Sequence, residues 1–521
     1  MLKESTLEKD KLIDETLRHF EIEEREKLDL LPNLVEEWKK PEEEKFYAAQ
    51  RGFTTILLGG LTKAHDYLVQ GGFEGLGYKV QCLECPDSEA LRYGKEMGNR
   101  GQCNPTYFTV GNLVKHLIQL RDENGLSVEE INKNYIFLTA GACGPCRFGM
   151  YEAEYRKALT DAGFPGFRVI TFEQKVDMQA VKDLGLEMNF KFYKTLIKAF
   201  IAADLINALG YRIRPYEVNE GETNKVLEEC KDILYKSFSQ KKWLSIALWK
   251  IRKKIAKIEV NYLQPKPVVD IIGEFWAMTT EGDGNYHMQS WLEKEGAEVH
   301  VQQVVFWLMY TIWEVEKFYT DRIHLKKHDE KGLKGEKPKK ALRLIRLSRV
   351  LLKAFYGTYA RLAGLKMVKL PDMTEIEAYA KEYYNTSLSG GEGHMEVGKL
   401  IAAAKKKKSH MVLSIKPFGC MPSAGVSDGV QSRIQELYPD IIFYPIETSG
   451  DGAVNVYSRV QMMLYKAKLK AKEEFEALLT EHKVTTNDLN GKAAAKKVQK
   501  ALHRSPHRST STASNVALEL V

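Results

Sequence analysis

Six of the seven cysteines in this 521-residue chain lie in short segments rich in Gly, Pro or Asn, where regular secondary structure is interrupted. Thiols at the ends of elements, rather than on the apolar faces that form a core, are positioned to face a ligand. The remaining one, Cys230, lies in the helical pattern NKVLEECKDILYKSF and is expected to be a small core residue. The six loop cysteines, found in QCLECPD, GQCNPTYF, GACGPCRFG and PFGCMPS, are Cys82, Cys85, Cys103, Cys143, Cys146 and Cys420.

A group of thiolates has two main uses in proteins, a zinc site and an iron–sulfur cluster. Cys82 and Cys85 form one Cys-x-x-Cys pair. Cys143 and Cys146 form a second, but 57 residues separate the pairs, against about 15–20 in a compact zinc ribbon. A chain of this length also has enough core to fold without zinc. An iron–sulfur cubane takes Cys thiolates from loops and is therefore favoured, with zinc and an unliganded redox set as the alternatives.

The elements that must position these thiols alternate between short apolar runs and amphipathic helices. TTILLGG, LGYKVQCLE, NKNYIFLTAGACG and FRVITFE indicate strands in the first half of the chain. PVVDIIGEFWAM, AEVHVQQVV, HMVLSIKPFGC and DIIFYPIET indicate strands in the second half. Strands that alternate with helices are typical of βαβ units. The sequence therefore predicts an α/β fold of two doubly wound, Rossmann- or flavodoxin-like parallel-sheet domains with helical insertions.

Changes of pattern along the chain give the domain boundaries. The charged start has Leu periodicity, which is typical of a helical arm. The Ser/Thr-rich basic end lacks an apolar pattern, which is typical of disorder. The predicted organisation is an N-terminal helical arm (1–48), a first α/β domain with most of the cysteines (49–180), a helical segment (181–264), a second α/β domain (265–480) with a helical insertion (304–385), and a basic disordered tail (481–521).

The loop cysteines follow predicted strands in both halves of the chain. Cys143 and Cys146 come after YIFLTA, Cys420 comes after MVLSIK, and Cys103 precedes a helix in the same kind of loop. In open parallel sheets, ligands bind outside the carboxyl ends of the strands. We therefore expect a cleft between the two domains to gather thiols from both of them.

Five segments of the chain resemble the 2-hydroxyacyl-CoA dehydratase superfamily, most closely its activase-related branch, which includes double-cubane cluster proteins. The resemblance covers about residues 50–175 and 265–465. Its most specific parts are CNPTYFTVGN, CGPCRFGMYE and PFGCMPS. The five segments are NRGQCNPTYFTVGNLVKHL, GACGPCRFGMYEAEYRKAL, GEGHMEVGKLI, PFGCMPSAGVSDGVQSRI and YPIETSGDGAVNVYSRV.

The resemblance implies a set of ligands for an iron–sulfur cluster of the [4Fe-4S] type. Cys103, Cys146 and Cys420 match the three cysteines that bind the cluster in the family, and Cys143, specific to this branch, would be a fourth ligand. Cys85 lies outside the matched motifs and is a candidate ligand of a second cubane, as in a double-cubane cluster. A plain strand-end position is the alternative for Cys85 and for its neighbour Cys82.

Polar residues beside these cysteines are candidates for contact with the cluster. Arg147 could stabilise a reduced, anionic cluster, with a plain surface arginine as the alternative. Asn104, Thr106 and Ser423 could donate hydrogen bonds to sulfur, or could only cap helices. Candidate proton donors or substrate contacts occur in Gly-rich loops of the second domain, although His394 is expected to be solvent-exposed; they are Glu392, His394, Glu447 and Asp451.

The resemblance also implies a source of electrons. In the family, a separate activase hydrolyses ATP to drive a low-potential electron onto the cluster. Here Gly393 and Gly398-Lys399 imitate a phosphate-binding loop, but Leu400 stands where the Ser or Thr that binds Mg²⁺ belongs. We therefore expect a partner activase to be the electron donor, and a small-molecule or acyl-CoA substrate to be reduced or activated at the cluster. The alternatives are a 2-hydroxyacyl-CoA dehydratase subunit, which is a lyase, and a non-catalytic cluster or zinc scaffold.

The formal net charge of +7 is unevenly distributed. Residues 326–353 hold eleven Lys/Arg against three acids, and residues 481–521 hold seven against three, which leaves the rest mildly acidic. A nucleic-acid-binding body is therefore excluded. Residues 326–340 are interpreted as a solvated loop, or else as a docking surface for an acidic partner. Without a long apolar run or a signal peptide, we expect an oxygen-sensitive cytoplasmic protein without membrane association, with a homodimer as a candidate assembly.

Overall fold

The computed structural model divides the chain into two compact units, Met1–Glu42 and Glu43–Val521. In the first unit, residues 19–27 are helical. The sheets, the helices and the candidate site described below all belong to the second unit. The structure describes residues 16–17, 19–28, 46–141, 146–172, 185–323, 338–365, 370–388, 391–496 and 498–521.

The first half of the second unit is a parallel sheet with helices between its strands. Its strand order is β2-β1-β3-β4, and all neighbouring strands are parallel. Short apolar strands joined by helices form this arrangement because each helical crossover returns the chain to the edge of the sheet where the previous strand began. The elements are β1 (Thr55–Leu58), α1 (Lys63–Glu74), β2 (Lys79–Cys82), α2 (Ser88–Met97), α3 (Asn104–Asp122), α4 (Val128–Asn134), β3 (Tyr135–Ala140), α5 (Tyr151–Asp161) and β4 (Val169–Phe172).

Three helices lead from the first sheet to the second. The first two pack on α1 and on each other, the third packs on the second, and their apolar faces belong to the large core that the first sheet also shares. Cys230 is fully buried in this core, which confirms its expected packing role. The helices are α6 (Phe190–Ile213), α7 (Glu222–Ser239) and α8 (Leu244–Ile255).

The second sheet repeats the topology of the first, with strand order β6-β5-β7-β8 and parallel neighbours. Every residue of the central strand β7 is buried, as expected for a parallel strand covered on both faces. Its elements up to the final strand are β5 (Val268–Gly273), α9 (Phe275–Thr279), α10 (Met288–Lys294), β6 (Glu298–Val301), α11 (Val304–Asp321), α12 (Pro338–Ala363), α13 (Met373–Ala380), α14 (His394–Lys405), β7 (Met411–Pro417), α15 (Met421–Gly425), α16 (Gln431–Leu437) and β8 (Ile442–Thr448).

Two sheets of four parallel strands, both flanked by helices, confirm the predicted α/β fold class. The predicted helical insertion contains α11, α12 and α13. Within the described residues, no helix combines the length and the apolar composition that crossing a bilayer requires.

The expected disorder of residues 481–521 is wrong where the structure describes this segment. After α17 (Ala453–Glu481), the chain forms α18 (Thr486–Lys496) and α19 (Thr512–Leu520). Ala513, Val516 and Leu520 are buried on one face of α19, and the backbone amide of Ser511 donates to Glu474, 2.9 Å away. The Ser/Thr-rich segment is therefore followed by a short helix, α19, whose small apolar residues pack on the core of the second unit.

Candidate site between the two sheets

Three of the predicted ligand cysteines lie in loops at the carboxyl edges of the two sheets. Cys103 is the N-cap residue of α3, and Cys420 is the N-cap residue of α15, directly beyond β7. Cys146 precedes a short 3₁₀ turn, Arg147–Met150, in the connection from β3 to α5. In both N-cap segments a proline within the first two helical positions favours the turn, because its fixed φ suits a helix start. Local sequence thus places each thiol at an element boundary.

A hydrogen bond joins the loops of Cys103 and Cys420 across the two halves. The backbone amide of Asn104 donates to the carbonyl of Phe418, 2.9 Å away. Gly419 has a φ of +76°, and a Cβ at this residue would lie 3.1 Å from the Cα of Cys103. Glycine is therefore needed here both for its backbone conformation and for the close approach of the second loop. The structure brings these two cysteines together from separate sheets.

Cys103 is buried and its sulfur has two hydroxyl neighbours. Its Sγ lies 3.1 Å from Oγ1 of Thr106 and 3.0 Å from the hydroxyl oxygen of Tyr151. Burial, together with the charges of Cys103 and Glu274, raises the pKa of Tyr151 well above its ordinary value. Tyr151 therefore stays protonated, and its hydroxyl can donate to a thiolate at Cys103.

Cys146 and Cys420 are thiols in a desolvated, acidic environment. Burial, reinforced by the charges of Glu392, Glu274 and Cys103, raises the pKa of Cys146 to about 12. Burial and then Glu274 also raise the pKa of Cys420 well above its ordinary value. Thiols in these surroundings are neutral at pH 7 unless a cation binds them, because metal binding displaces the proton.

Three glutamates surround the thiols on the side of the second sheet. Glu274 follows β5 and caps α9, accepting from the amides of Trp276 and Ala277 at 3.1 and 2.8 Å. Glu392 accepts from the amide of Phe275, 2.9 Å away. Burial, reinforced by the charges of Glu274 and Glu396, raises the pKa of Glu392 well above its ordinary value. Burial among other acids therefore favours the protonated form of Glu392.

Glu396 is linked to the Cys420 loop through Ser423. The hydroxyl of Ser423 donates to Oε1 of Glu396, 2.6 Å away, and both side chains are buried. Burial raises the pKa of Glu396 to about 7. Ser423 also lowers the pKa of Cys420, in opposition to burial, so that in the second half one hydroxyl interacts with both a carboxyl group and a cysteine.

Asn104 and Arg147 differ in whether their hydrogen-bond donors have partners. Asn104 is buried, and its Nδ2 has no hydrogen-bond partner among the described residues. An unpaired buried donor is costly and fits an acceptor, such as an inorganic sulfide, beside Cys103. Arg147 is half-buried and donates to the carbonyl of Gly101. Its described contact therefore ties the Cys146 loop to the Cys103 loop.

Cys82 and Cys85 have contacts elsewhere. The thiol of Cys82 donates to the backbone carbonyl of Asp66, 3.0 Å away. Burial and the nearby Glu281 raise the pKa of Cys85 to about 11, and a Cβ at Gly282 would lie 3.0 Å from its sulfur. None of these described contacts is with Cys103, Cys146 or Cys420. Cys143 lies outside the described residues.

His394 is the residue whose expected environment is most clearly wrong. It is fully buried, its ring centroid lies 4.5 Å from that of Trp313 and 5.5 Å from that of Tyr310, and burial lowers its pKa to about 4. Neither ring nitrogen has a hydrogen-bond partner in the described part of the chain. The Gly-rich loop suggested exposure, but the first turn of α14 packs inward. Glu447 and Asp451 are exposed.

Glu274 and Glu396 are functional candidates that the sequence reasoning missed. A signal for Glu274 existed, because it directly follows the strand VVDIIG at the edge where ligands bind. Glu396 lies in the first turn of α14, four residues after Glu392, which precedes the helix. Their burial depends on the packing of α9 and α14, which composition does not show.

A cavity of about 630 Å³ opens beside α1 and α7, away from the thiols. Its lining mixes cations such as Lys63 and Arg214 with acids such as Glu217 and Glu281. None of the described cysteines lines it. The chemistry of the thiol and carboxyl groups is therefore located in the crevice between the sheets and not in this cavity.

Within the described ranges, no three Cys, His, Asp or Glu side chains converge to hold a single metal ion. A polynuclear cluster is held differently, by thiolates spaced around its body. Three thiols from two sheets and one unpaired amide donor fit such a group. The chain matches no protein-family model and no curated protein, so its function is inferred from its own residues.

Proposed function

We propose that this chain is an iron–sulfur protein of the 2-hydroxyacyl-CoA dehydratase type, with Cys103, Cys146 and Cys420 holding the cluster between the two sheets. The observation that carries the proposal is the hydrogen bond from Asn104 to Phe418, 2.9 Å long. It fixes cysteine loops from separate sheets against each other, as one shared cofactor requires.

In this proposal the ligands and their neighbours have distinct roles. Cys143 is the fourth ligand of a [4Fe-4S] cluster, while Cys85 as a ligand of a second cubane stays a prediction. Bound there, the cluster supplies one-electron transfer at low potential. Thr106 and Tyr151 orient Cys103 through contacts of 3.1 and 3.0 Å, and the unpaired side-chain amide of Asn104 would supply a hydrogen-bond donor to the cluster.

The carboxyl groups of the second half serve as proton donors. A substrate that gains electrons also needs protons, and a general acid works best with a pKa near the operating pH. The pKa of Glu396 is raised to about 7 by burial, and the carboxyl is within 2.6 Å of the Ser423 hydroxyl. In this proposal Glu396, with Glu392 beside it, supplies protons to a small-molecule or acyl-CoA substrate.

A separate ATP-hydrolysing activase is the electron donor in this proposal. The segment that imitates a phosphate-binding loop begins α14, and Lys399 is committed to Gln302, with Nζ 2.6 Å from Oε1. A Cβ at Gly398 would lie 2.5 Å from the carbonyl of Ile376, so this glycine serves helix packing. Nucleotide chemistry is thus assigned to the partner.

Metal analysis of protein purified without oxygen tests the cofactor. Iron and acid-labile sulfide in similar amounts, with visible charge-transfer absorbance, are expected. Zinc without sulfide would contradict the proposal and favour a structural scaffold.

Reduction of the cluster tests the electron source. Adding an activase of this type, dithionite and MgATP should bleach the visible absorbance, whereas omission of ATP should leave it largely unchanged. Tight binding of MgATP by the isolated chain would refute the division of labour between the chain and its partner.

A dehydratase subunit, a lyase, is the second candidate, and it differs from the first in the number of cysteines that would bind the cluster. Three ligands would leave one iron of a cubane open to a substrate, whereas four would close it. The variant Cys143→Ala separates the two candidates: unchanged iron content indicates three ligands and favours the lyase, whereas loss of iron indicates four and favours electron relay.

A further inference from the structure

The helix α12 in the second half presents an apolar stripe that nothing in the described structure covers. Its buried face packs through residues that include Leu352 and Tyr356. A different face of the helix carries four large apolar side chains, spaced about one turn apart, that are between 47% and 57% exposed. The spacing of three and four residues aligns these side chains along about 16 Å of one helix face; they are Leu344, Leu347, Leu351 and Phe355.

Positive charge borders this stripe. Residues 338–363 contain seven Lys/Arg and no Asp or Glu. Arg346 and Arg349 pair with Glu316 of α11 at 2.8 Å, and Lys353 pairs with Asp372 at 3.2 Å. Three further cations, at the start of the helix, have no carboxylate partner among the described residues; they are Lys339, Lys340 and Arg343.

The neighbouring helix α8 has the same combination of groups. It packs against α12 and exposes Ile246 and Trp249, while Trp243, its N-cap residue, is 77% exposed. Nζ of Lys253 lies 3.5 Å from the ring centroid of Trp249. Exposed tryptophans beside lysines are typical of residues that sit at a membrane–water interface.

We propose that α12, with α8 beside it, binds the surface of a membrane that contains anionic lipids. A helix with Leu and Phe on one face and Lys or Arg beside it lies in the headgroup region, with its apolar side chains at the acyl boundary. The unpaired cations then contact lipid phosphates. This inference does not depend on the proposed function and replaces the expectation of no membrane association.

The composition favours a lipid surface over an acidic protein. A helix that carries Leu and Phe on one face and Lys or Arg beside it matches the two layers of a bilayer surface, in which anionic headgroups lie next to the acyl boundary. Between Leu344 and Phe355 the helix contains no Asp or Glu, and its cations Arg346, Arg349 and Lys353 pair with carboxylates of the protein itself. Such a surface provides few directional contacts for a protein partner and suits the surface of a fluid lipid bilayer.

Cosedimentation of the full chain with vesicles tests the proposal. Vesicles of phosphatidylcholine alone should leave the protein in solution, whereas vesicles with about 30% phosphatidylglycerol should bind it, and binding should weaken several-fold with added salt because charge is screened. Absence of binding to anionic vesicles, or equal binding to both kinds, would overturn the proposal.

Two sets of substitutions separate the apolar and charged contributions. L347Q/L351Q/F355Q and K339E/K340E/R343E should each reduce vesicle binding at least tenfold. The matched control V454Q/M462Q/Y465Q, at exposed apolar positions of α17, should bind like the unaltered protein. All these side chains are exposed, so circular dichroism should be unchanged.

Two other occupants are distinguished in the same experiment. If sedimentation velocity shows a dimer that the L347Q/L351Q/F355Q variant loses, and vesicles do not bind, the stripe is an interface between copies and the proposal is refuted. Retention of full vesicle binding by both sets of variants would refute it equally.

Discussion

The two parallel sheets have the same strand order but present different chemistry at their carboxyl edges. The first half contributes Cys103 and Cys146, with hydroxyl groups such as that of Tyr151 beside them. The second half contributes Cys420 together with the buried acids Glu392 and Glu396. A shared topology therefore fixes only where a site can form, and the residues of individual loops decide what each half can do.

This difference gives the two halves separate roles in the proposed function. The first half supplies mainly sulfur ligands and their hydrogen-bond donors, and the second supplies one ligand and the proton-bearing carboxyl groups. Cys420 is the residue that belongs to both roles, since Ser423 links its loop to Glu396 over 2.6 Å. Experiments that change one half at a time therefore show whether the division is real.

The largest expected effect comes from removing a thiol from either half. Cys420→Ala and Cys146→Ala should each lose most of the bound iron, because a cluster held between two sheets needs ligands from both. Iron and sulfide analysis after anaerobic purification measures this effect. Cys230→Ala, in the core of α7, is the control and should keep its iron. Full iron content in Cys420→Ala would show that the second sheet contributes no ligand.

The next effect concerns the carboxyl groups of the second half. Burial raises the pKa of Glu396 from 4.5 to about 7, so its stabilising contribution is present below pH 4.5 and is lost as the pH rises through 7. Between pH 4.5 and pH 7, the free energy of unfolding of Glu396→Gln should rise by about 3 kcal/mol relative to that of the unaltered protein. Urea unfolding of the cluster-free proteins measures the difference.

The control for this titration is Glu447→Gln, on an exposed position of β8. Its free energy of unfolding should follow that of the unaltered protein at every pH. A Glu396→Gln variant that shows the same pH dependence as this control would mean that Glu396 is not a proton-holding group.

A smaller effect of opposite sign is expected at His394. Burial lowers its pKa from 6.5 to about 4, so its contribution to stability is present above pH 6.5 and is lost as the pH falls towards 4. At pH 5 this cost is about 2 kcal/mol. His394→Phe, which suits the contacts with Trp313 and Tyr310, should remove it, as unfolding at pH 5 and pH 7.5 would show. His482→Gln, at an exposed position, should not.

Sequence reasoning found the fold and the thiols because both leave local patterns. Alternating apolar runs and helices predict parallel sheets, and cysteines after such strands must lie at the ligand-binding edge. It missed Glu274 and Glu396 because their burial arises from the packing of α9 and α14. It predicted wrongly that His394 is exposed, because a Gly-rich sequence is typical of a surface turn and does not show that the following helix packs inward.

The C-terminal segment is a second case in which tertiary contacts decide the structure and local composition does not show them. Ser, Thr and His residues between 503 and 514 outweigh the few apolar ones, and the composition therefore suggested disorder. In the structure, Tyr262 donates to the carbonyl of Ala501, 2.7 Å away, and Ser511 contacts Glu474. A segment with little apolar area of its own is ordered by hydrogen bonds to a surface that the rest of the chain has already formed.

The smallest effect tests the contact that joins the two halves. Gly419→Ala should cost about 1–2 kcal/mol because an L side chain is unfavourable at a φ of +76°. The added Cβ would also meet the Cα of Cys103 at 3.1 Å, so the loops must separate. Gly166→Ala is the matched control, with the same φ of +76° and nothing within 4 Å of its Cβ. Urea unfolding should show a larger loss for Gly419→Ala than for the control, and only Gly419→Ala should bind less iron. Equal losses in both variants, with full iron content, would mean that the close approach of the two loops does not hold the site together.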